Sequence, residues 1–147
     1  MSEDALRRLQ TEPCFEEMTF ESLEATGLDL TGKEFTRCVF RRVRLPESRW
    51  KLCRLEDCRF EECDLTRMDP MSLLAAGVQF HGCKLLGVDW SALGRNPVLS
   101  FESCDLRFAS FVKLHLNRLS MKNCRTTGAN FLQCHLTGAD FDGTELT

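Results

Sequence analysis

Tyrosine is absent from this 147-residue chain and tryptophan occurs only twice, so eleven phenylalanines supply nearly all of the aromatic content. Rings without a polar handle serve as buried hydrocarbon. No apolar run approaches the roughly 18 residues of a membrane-crossing helix. The acidic start, with Glu3, Asp4, Glu12, Glu16 and Glu17, lacks the basic and then apolar order of an export signal, so a cytosolic chain is expected. Charge of one sign is scarce too. Nineteen Lys and Arg against 22 Asp and Glu leave a net charge of -3, which provides no global field to draw in nucleic acid or an anionic membrane. Nine cysteines, an odd number without an export signal, argue against a disulfide framework. The length suits one domain or one short stack of repeats, not a two-domain enzyme.

What the sequence does have is a period of five. Phe15, Phe20, Leu30, Phe35, Phe40, Leu45, Trp50, Leu55, Phe60, Leu65, Phe80, Leu85 and Trp90 fall on one frame, with Ala25, Pro70 and Ala75 as its weak members. After Trp90 the frame moves by one residue and resumes at Phe101, Leu106, Phe111, Leu116, Met121, Thr126, Phe131, Leu136, Phe141 and Leu146. Two residues before these centres sits a smaller class that includes Cys38, Cys53, Cys58, Cys63, Cys83, Cys104, Cys124 and Cys134. Five fits neither the helical 3.6 nor the strand 2.0, so the chain must turn at every repeat.

This pattern resembles the pentapeptide-repeat family over residues 15–147, most clearly in Gly128-Ala129-Asn130-Phe131 and Gly138-Ala139-Asp140-Phe141. The resemblance implies an all-β fold, a right-handed quadrilateral parallel β-helix in which four repeats make one square coil and the centre and the small residue both point inward. Residues 20 apart should then stack, and the sequence agrees: one column reads Phe20, Phe40, Phe60, Phe80, Phe101, Met121, Phe141. Another reads Phe15, Phe35, Leu55, Ala75, Asn96, Leu116, Leu136, which places one extra residue between 91 and 100, as a bulge with Gly94 supplying backbone freedom. Residues 1–14 form an N-terminal cap segment. Within it Ser2, Glu3 and Asp4 precede Ala5, Leu6 and Leu9, as at the start of an N-capped helix. The chain ends in frame at Leu146 and Thr147, so either two such ends meet in a homodimer or the chain is a fragment.

Several residue groups invite a chemical role. Cys63, Cys83, Cys104 and Cys124 would form a straight column at steps of roughly 4.8 Å, a line rather than a tetrahedral zinc cage, and too widely spaced for unstrained disulfides. They are expected as small buried hydrophobes, with a thiol redox sensor as the alternative. The basic run from Arg37 to Arg54 dissolves into columns of alternating sign. One is Glu24, Arg44, Asp64, Lys84, Asp105, Arg125, Glu145; a second is Glu21, Arg41, Glu61, His81, Glu102, Lys122, Asp142. Such ladders would penalise a slip by one coil. His115 and His135 stack without a third ligand, so no metal or cofactor site is expected. No Ser, His and acid trio shares a face, and no glycine-rich phosphate loop is present, so the expectation is a protein that is not an enzyme.

Two departures from the repeat are candidate contact surfaces. The stretch 68–77, with Met68, Pro70, Met71 and Leu74, loses two centres and is expected to bulge. Phe108, Val112 and Leu132 occupy outward positions near the C-terminus, and Leu146 belongs to the open last coil. The expected function is a non-enzymatic protein-interaction or scaffold module that presents rigid faces. Its partner is a protein, with no direct contact to nucleic acid or membrane, and it pairs as a homodimer through the C-terminal coil. The resemblance also implies an alternative: a cytoplasmic bacterial protein that binds and protects a type II topoisomerase, DNA gyrase, by mimicking DNA and so confers quinolone resistance. Mimicry needs a continuous negative surface. From residue 65 onward, eight Lys or Arg meet seven Asp or Glu.

Overall fold

A computed structural model describes residues 2–146. It begins with a helix α1 (Ser2–Thr11) and continues in short parallel strands: β1 (Cys14–Glu16), β2 (Thr19–Glu21), β3 (Glu34–Thr36), β4 (Val39–Arg41), β5 (Arg54–Glu61), β6 (Leu74–His81), β7 (Val98–Glu102) and β8 (Ser120–Lys122). The chain is a quadrilateral parallel β-helix. Phe15 pairs with Phe35, Phe35 with Leu55, and Leu55 with Ala75, while Phe20, Phe40, Phe60, Phe80, Phe101 and Met121 pair in series.

The five-residue turn has a backbone cause. Away from the irregular 91–98 segment, the second residue after a centre takes a positive φ, as at Glu17 (51), Ser22 (56), Arg37 (50), Leu52 (58) and Lys113 (59). The left-handed region costs a residue with a Cβ about 1–2 kcal/mol. Burying an inward Phe or Leu returns about 1.5–3 kcal/mol. One buried centre therefore offsets one strained corner.

Inside the coil the phenylalanines stack in a file. Ring centroids lie 5.0 Å apart for Phe20 and Phe40, 4.5 Å for Phe40 and Phe60, 4.9 Å for Phe60 and Phe80, and 5.2 Å for Phe80 and Phe101. Trp50 meets Phe40 and Phe60 edge-on. Cys63, Cys83, Cys104 and Cys124 are buried. The first three of these thiols donate to carbonyls one coil below, at Phe40, Phe60 and Phe80, which satisfies them as hydrogen-bonded core groups. Toward the C-terminus Phe131, Leu136 and Phe141 are only partly buried.

α1 lays the fully buried Leu9, together with Ala5 and Leu6, against this core. It already runs from Ser2, so Glu3 and Asp4 lie inside its first turn, where the helix dipole favours them, rather than ahead of it. No helix among the described residues is long and apolar enough to cross a membrane.

The expected bulge at 68–77, the inward slot given to Asn96 and the role given to Gly94 change. The stretch 68–77 does not bulge: Met68, Pro70, Leu73 and Ala75 fill inward slots, and β6 stays in register with β5. The irregularity sits at residues 91–98, within the 91–100 span where the extra residue was expected, but its details differ. There Ala76 pairs with Val98 but Val78 with Leu99, and the inward slot is taken by buried Pro97 while Asn96, at φ 47, lies exposed. Gly94 serves close approach rather than an unusual φ, since a Cβ there would lie 2.6 Å from Leu74 Cδ2.

Candidate interaction surfaces

The columns of the coil decide which side chains share a face. Glu24, Arg44, Asp64, Lys84, Asp105, Arg125 and Glu145 bridge in sequence, each to the next, in parallel. The ladder is thus built by the backbone, but its charges do not close ion pairs within it. Asp105 instead accepts from Arg107 at 2.9 and 2.8 Å, and Asp64 accepts from the Thr66 hydroxyl at 2.7 Å. The Arg107 guanidinium and amide hold the Asp105 carboxyl below its ordinary value against the opposing effect of desolvation. In the second column Arg41 meets Glu61 and His81 meets Glu102, each at 3.5 Å. Alternation of sign persists along both columns, and no outward column among the described residues is uniformly acidic.

The expected contact residues divide. Met68 and Pro70 are buried and offer nothing to a partner. Met71 (48%) and Leu74 (46%) are half-exposed, and Phe108 (61%), Leu132 (60%) and Leu146 (53%) stand in solvent. Val112 is intermediate, with its N–H donating to Ser91 Oγ at 2.7 Å. Phe108 lies over Gly128, where a Cβ would approach its ring to 2.6 Å. Leu52 and Val98, at 66% and 61%, are equally exposed and escape a reading that looks only for lost centres.

Proline marks two places among the described residues where the ladder between coils opens. In closed steps the residue before each centre donates to the coil below, as Asp64 to the Val43 carbonyl, Lys84 to Cys63 and His135 to Leu114, all at 2.9 Å. Each centre donates to the coil above, as Leu116 to the His135 carbonyl at 2.8 Å. Pro70 and Pro97 occupy centre slots without an N–H to give. Around Pro70 the coils stay tied by Ser72 to the Ala92 carbonyl (2.7 Å) and Gly94 to the Leu73 carbonyl (2.9 Å). Around Pro97 no backbone hydrogen bond joins residues 94–97 to residues 113–117 among the described residues. A hollow of about 330 Å³ opens there, bordered by Arg95, Asn96, Pro97, Lys113 and His115. A second of about 250 Å³ lies beyond Pro97, against Val98, Leu116, Arg118 and Leu119.

His115 and His135 do stack, with ring centroids 4.4 Å apart. Among the described residues no group of three His, Cys, Asp or Glu is gathered as a metal site would require. Of the thiols Cys14 is exposed and Cys134 intermediate, and the other seven are buried. Burial pushes the Cys53 thiol up to about 11.

Comparison with known proteins agrees with this geometry. The family model described as pentapeptide repeats (8 copies) matches residues 115–147. Two structures of trypsin-treated variants of QnrB1, a plasmid-mediated fluoroquinolone resistance protein, align with 26% identity over 91% of the chain (TM-score 0.58) and 25% over 95% (TM-score 0.59). The chain spans 65% and 68% of their respective lengths. HetL, a pentapeptide-repeat protein from the cyanobacterium Nostoc sp., aligns at 16% identity over 98% of the chain and 94% of its own length, with a TM-score of 0.42. No curated protein matches the sequence.

Proposed function

We propose that this chain, a pentapeptide-repeat protein, is a non-enzymatic interaction module that works by presenting rigid β-helix faces to a protein partner. The observation that carries the reading is the contrast between an inflexible interior and a varied exterior. A file of stacked phenylalanines fixes the coil, while Leu52, Met71, Leu74, Phe108 and Leu132 are held outward on its surface. Apolar side chains displayed on a scaffold that cannot collapse over them are available to a partner at little ordering cost. Partner capture from cells tests the reading. A partner should be retained in stoichiometric amount by the wild type and lost from Phe108→Lys or Leu132→Lys with the fold intact. No retained partner, or one indifferent to every exposed apolar site, contradicts it.

A homodimer through the C-terminal coil belongs to the same reading. Phe131, Leu136 and Phe141 are partly exposed, whereas Phe111, Leu116 and Met121 are buried, and a second copy of this coil would cover them. Leu146→Lys should convert the dimer to a monomer. A wild-type monomer, or a dimer unaffected by this change, removes the proposal.

A second reading is protection of DNA gyrase in a bacterial cytoplasm, of the quinolone-resistance type. The identity with QnrB1 favours it. The charge pattern weighs against it, because residues 106–139 contain five Lys or Arg and no Asp or Glu, where a DNA mimic needs acid. A gyrase supercoiling assay with a quinolone separates the two readings. Restored supercoiling would promote the second, and no protection at any ratio would remove it.

A further inference from the structure

The step above Pro97 combines three features found together nowhere else among the described residues: an open backbone edge, unpaired cations and an apolar wall. At the edge, the His115 N–H has no hydrogen-bond partner of the kind His135 finds in the Leu114 carbonyl. The His115 carbonyl faces the slot of Pro97, which has no N–H to offer. Arg95, Lys113 and Arg118 flank this edge, and none forms an ion pair among the described residues. No acidic residue occurs between Asp105 and Asp140 to neutralise Lys113 and Arg118. Val98, 61% exposed, supplies the apolar side of the opening, beside the buried Leu116.

We infer that this step is a docking groove for an acidic, extended segment of a protein partner, a site that presupposes the interaction role proposed above and gives that partner its chemistry. An extended segment crossing the mouth of the hollow can offer a backbone carbonyl to the His115 N–H that the coil below leaves without an acceptor. Its carboxylates meet Arg95, Lys113 and Arg118 in charge-assisted hydrogen bonds. Its alternate side chains turn to Val98, which calls for apolar residues between the acids. Nucleic acid suits the groove less well. Its phosphates would use the cations but leave the backbone edge and the apolar wall unserved, and the chain's net charge of -3 disfavours a polyanion at long range.

The probe is a fluorescein-labelled hexapeptide alternating valine with glutamate or aspartate, titrated against the full chain by fluorescence anisotropy. Controls are the same peptide with lysine at each acidic position and a single-stranded oligothymidine. The acidic peptide should bind in roughly the micromolar range, and Arg95→Glu or Lys113→Glu should each weaken it by about tenfold or more. Amide shifts in the wild type, which need no variant, should move at His115, Val98 and their neighbours. Equal binding of the acidic and basic peptides, equal or tighter binding of oligothymidine, insensitivity to both charge reversals, or amide shifts confined to other faces would overturn the assignment. A partner that binds at Phe108 and Leu132 while the acidic peptide fails would end this proposal and leave the interaction module standing.

Discussion

Trp50 and Trp90 fill comparable inward slots but differ in one hydrogen bond. The Trp50 indole N–H donates to Ser48 Oγ at 2.8 Å, and that hydroxyl donates to the Leu45 carbonyl at 2.7 Å. Two residues before Trp90 stands Val88, and the Trp90 indole N–H, fully buried, has no partner. Val88→Ser should supply the missing acceptor. It removes two methyl groups at about 0.8 kcal/mol each, roughly 2 kcal/mol with imperfect refilling. Pairing a buried orphan N–H returns about 1–3 kcal/mol. The net change should lie within about 1 kcal/mol of the wild type. Val43→Ser is the control: Val43 is equally buried and also two residues before a centre, but that centre is Leu45, whose side chain has no N–H to satisfy. It should carry the full loss of about 2 kcal/mol. Urea unfolding followed by tryptophan fluorescence measures both, and Ser48→Ala should cost about 1–3 kcal/mol by orphaning Trp50. Equal destabilisation by Val88→Ser and Val43→Ser would refute the reasoning.

Other consequences are more direct. Phe60→Ala deletes the middle of the stacked file and should cost about 3–5 kcal/mol by thermal or urea unfolding; a loss below 1 kcal/mol would mean the file is not the spine of the coil. Without denaturant a thiol reagent should label Cys14 and then Cys134, leaving the seven buried cysteines untouched, and rapid labelling of those seven would revive the redox-sensor reading. The Cys53 thiol, raised from 9.0 to about 11, stays protonated in the folded chain after the unfolded chain has ionised. Its contribution is therefore complete below pH 9 and falls away between pH 9 and 11, by about 2–3 kcal/mol. Stability of Cys53→Ala should be flatter across that window, and an unchanged slope would count against the burial of this thiol.

Much of the fold was legible because the period of five states directly which residues turn inward. The columns of Phe, of Cys and of alternating charge follow from that one rule, and each stands where the rule puts it. The rule failed where residue size and backbone chemistry disagree. Pro70 and Ala75 are poor centres by size, which suggested a bulge at 68–77, yet both fit inward slots and the neighbouring hydrogen bonds of Ser72 and Gly94 hold the coil in frame. Asn96 kept the count, but the structure gives its slot to Pro97, since an apolar ring belongs inside and asparagine tolerates the left-handed corner. The groove was hidden for a related reason. Nothing in the period marks a missing N–H, although Pro97 beside a 34-residue stretch without acid, 106–139, was readable as a break in the ladder next to uncompensated positive charge.

Amide hydrogen exchange, resolved residue by residue, tests most directly whether the ladder opens at Pro97 as this account requires. The amides of Asp64, Lys84 and Asp105, each bonded to the coil below at 2.9 Å, should be strongly protected, and the His115 amide should exchange at a rate typical of an open loop. Protection of His115 equal to that of Asp105 would mean the coils are closed there, and the groove would have no edge to offer.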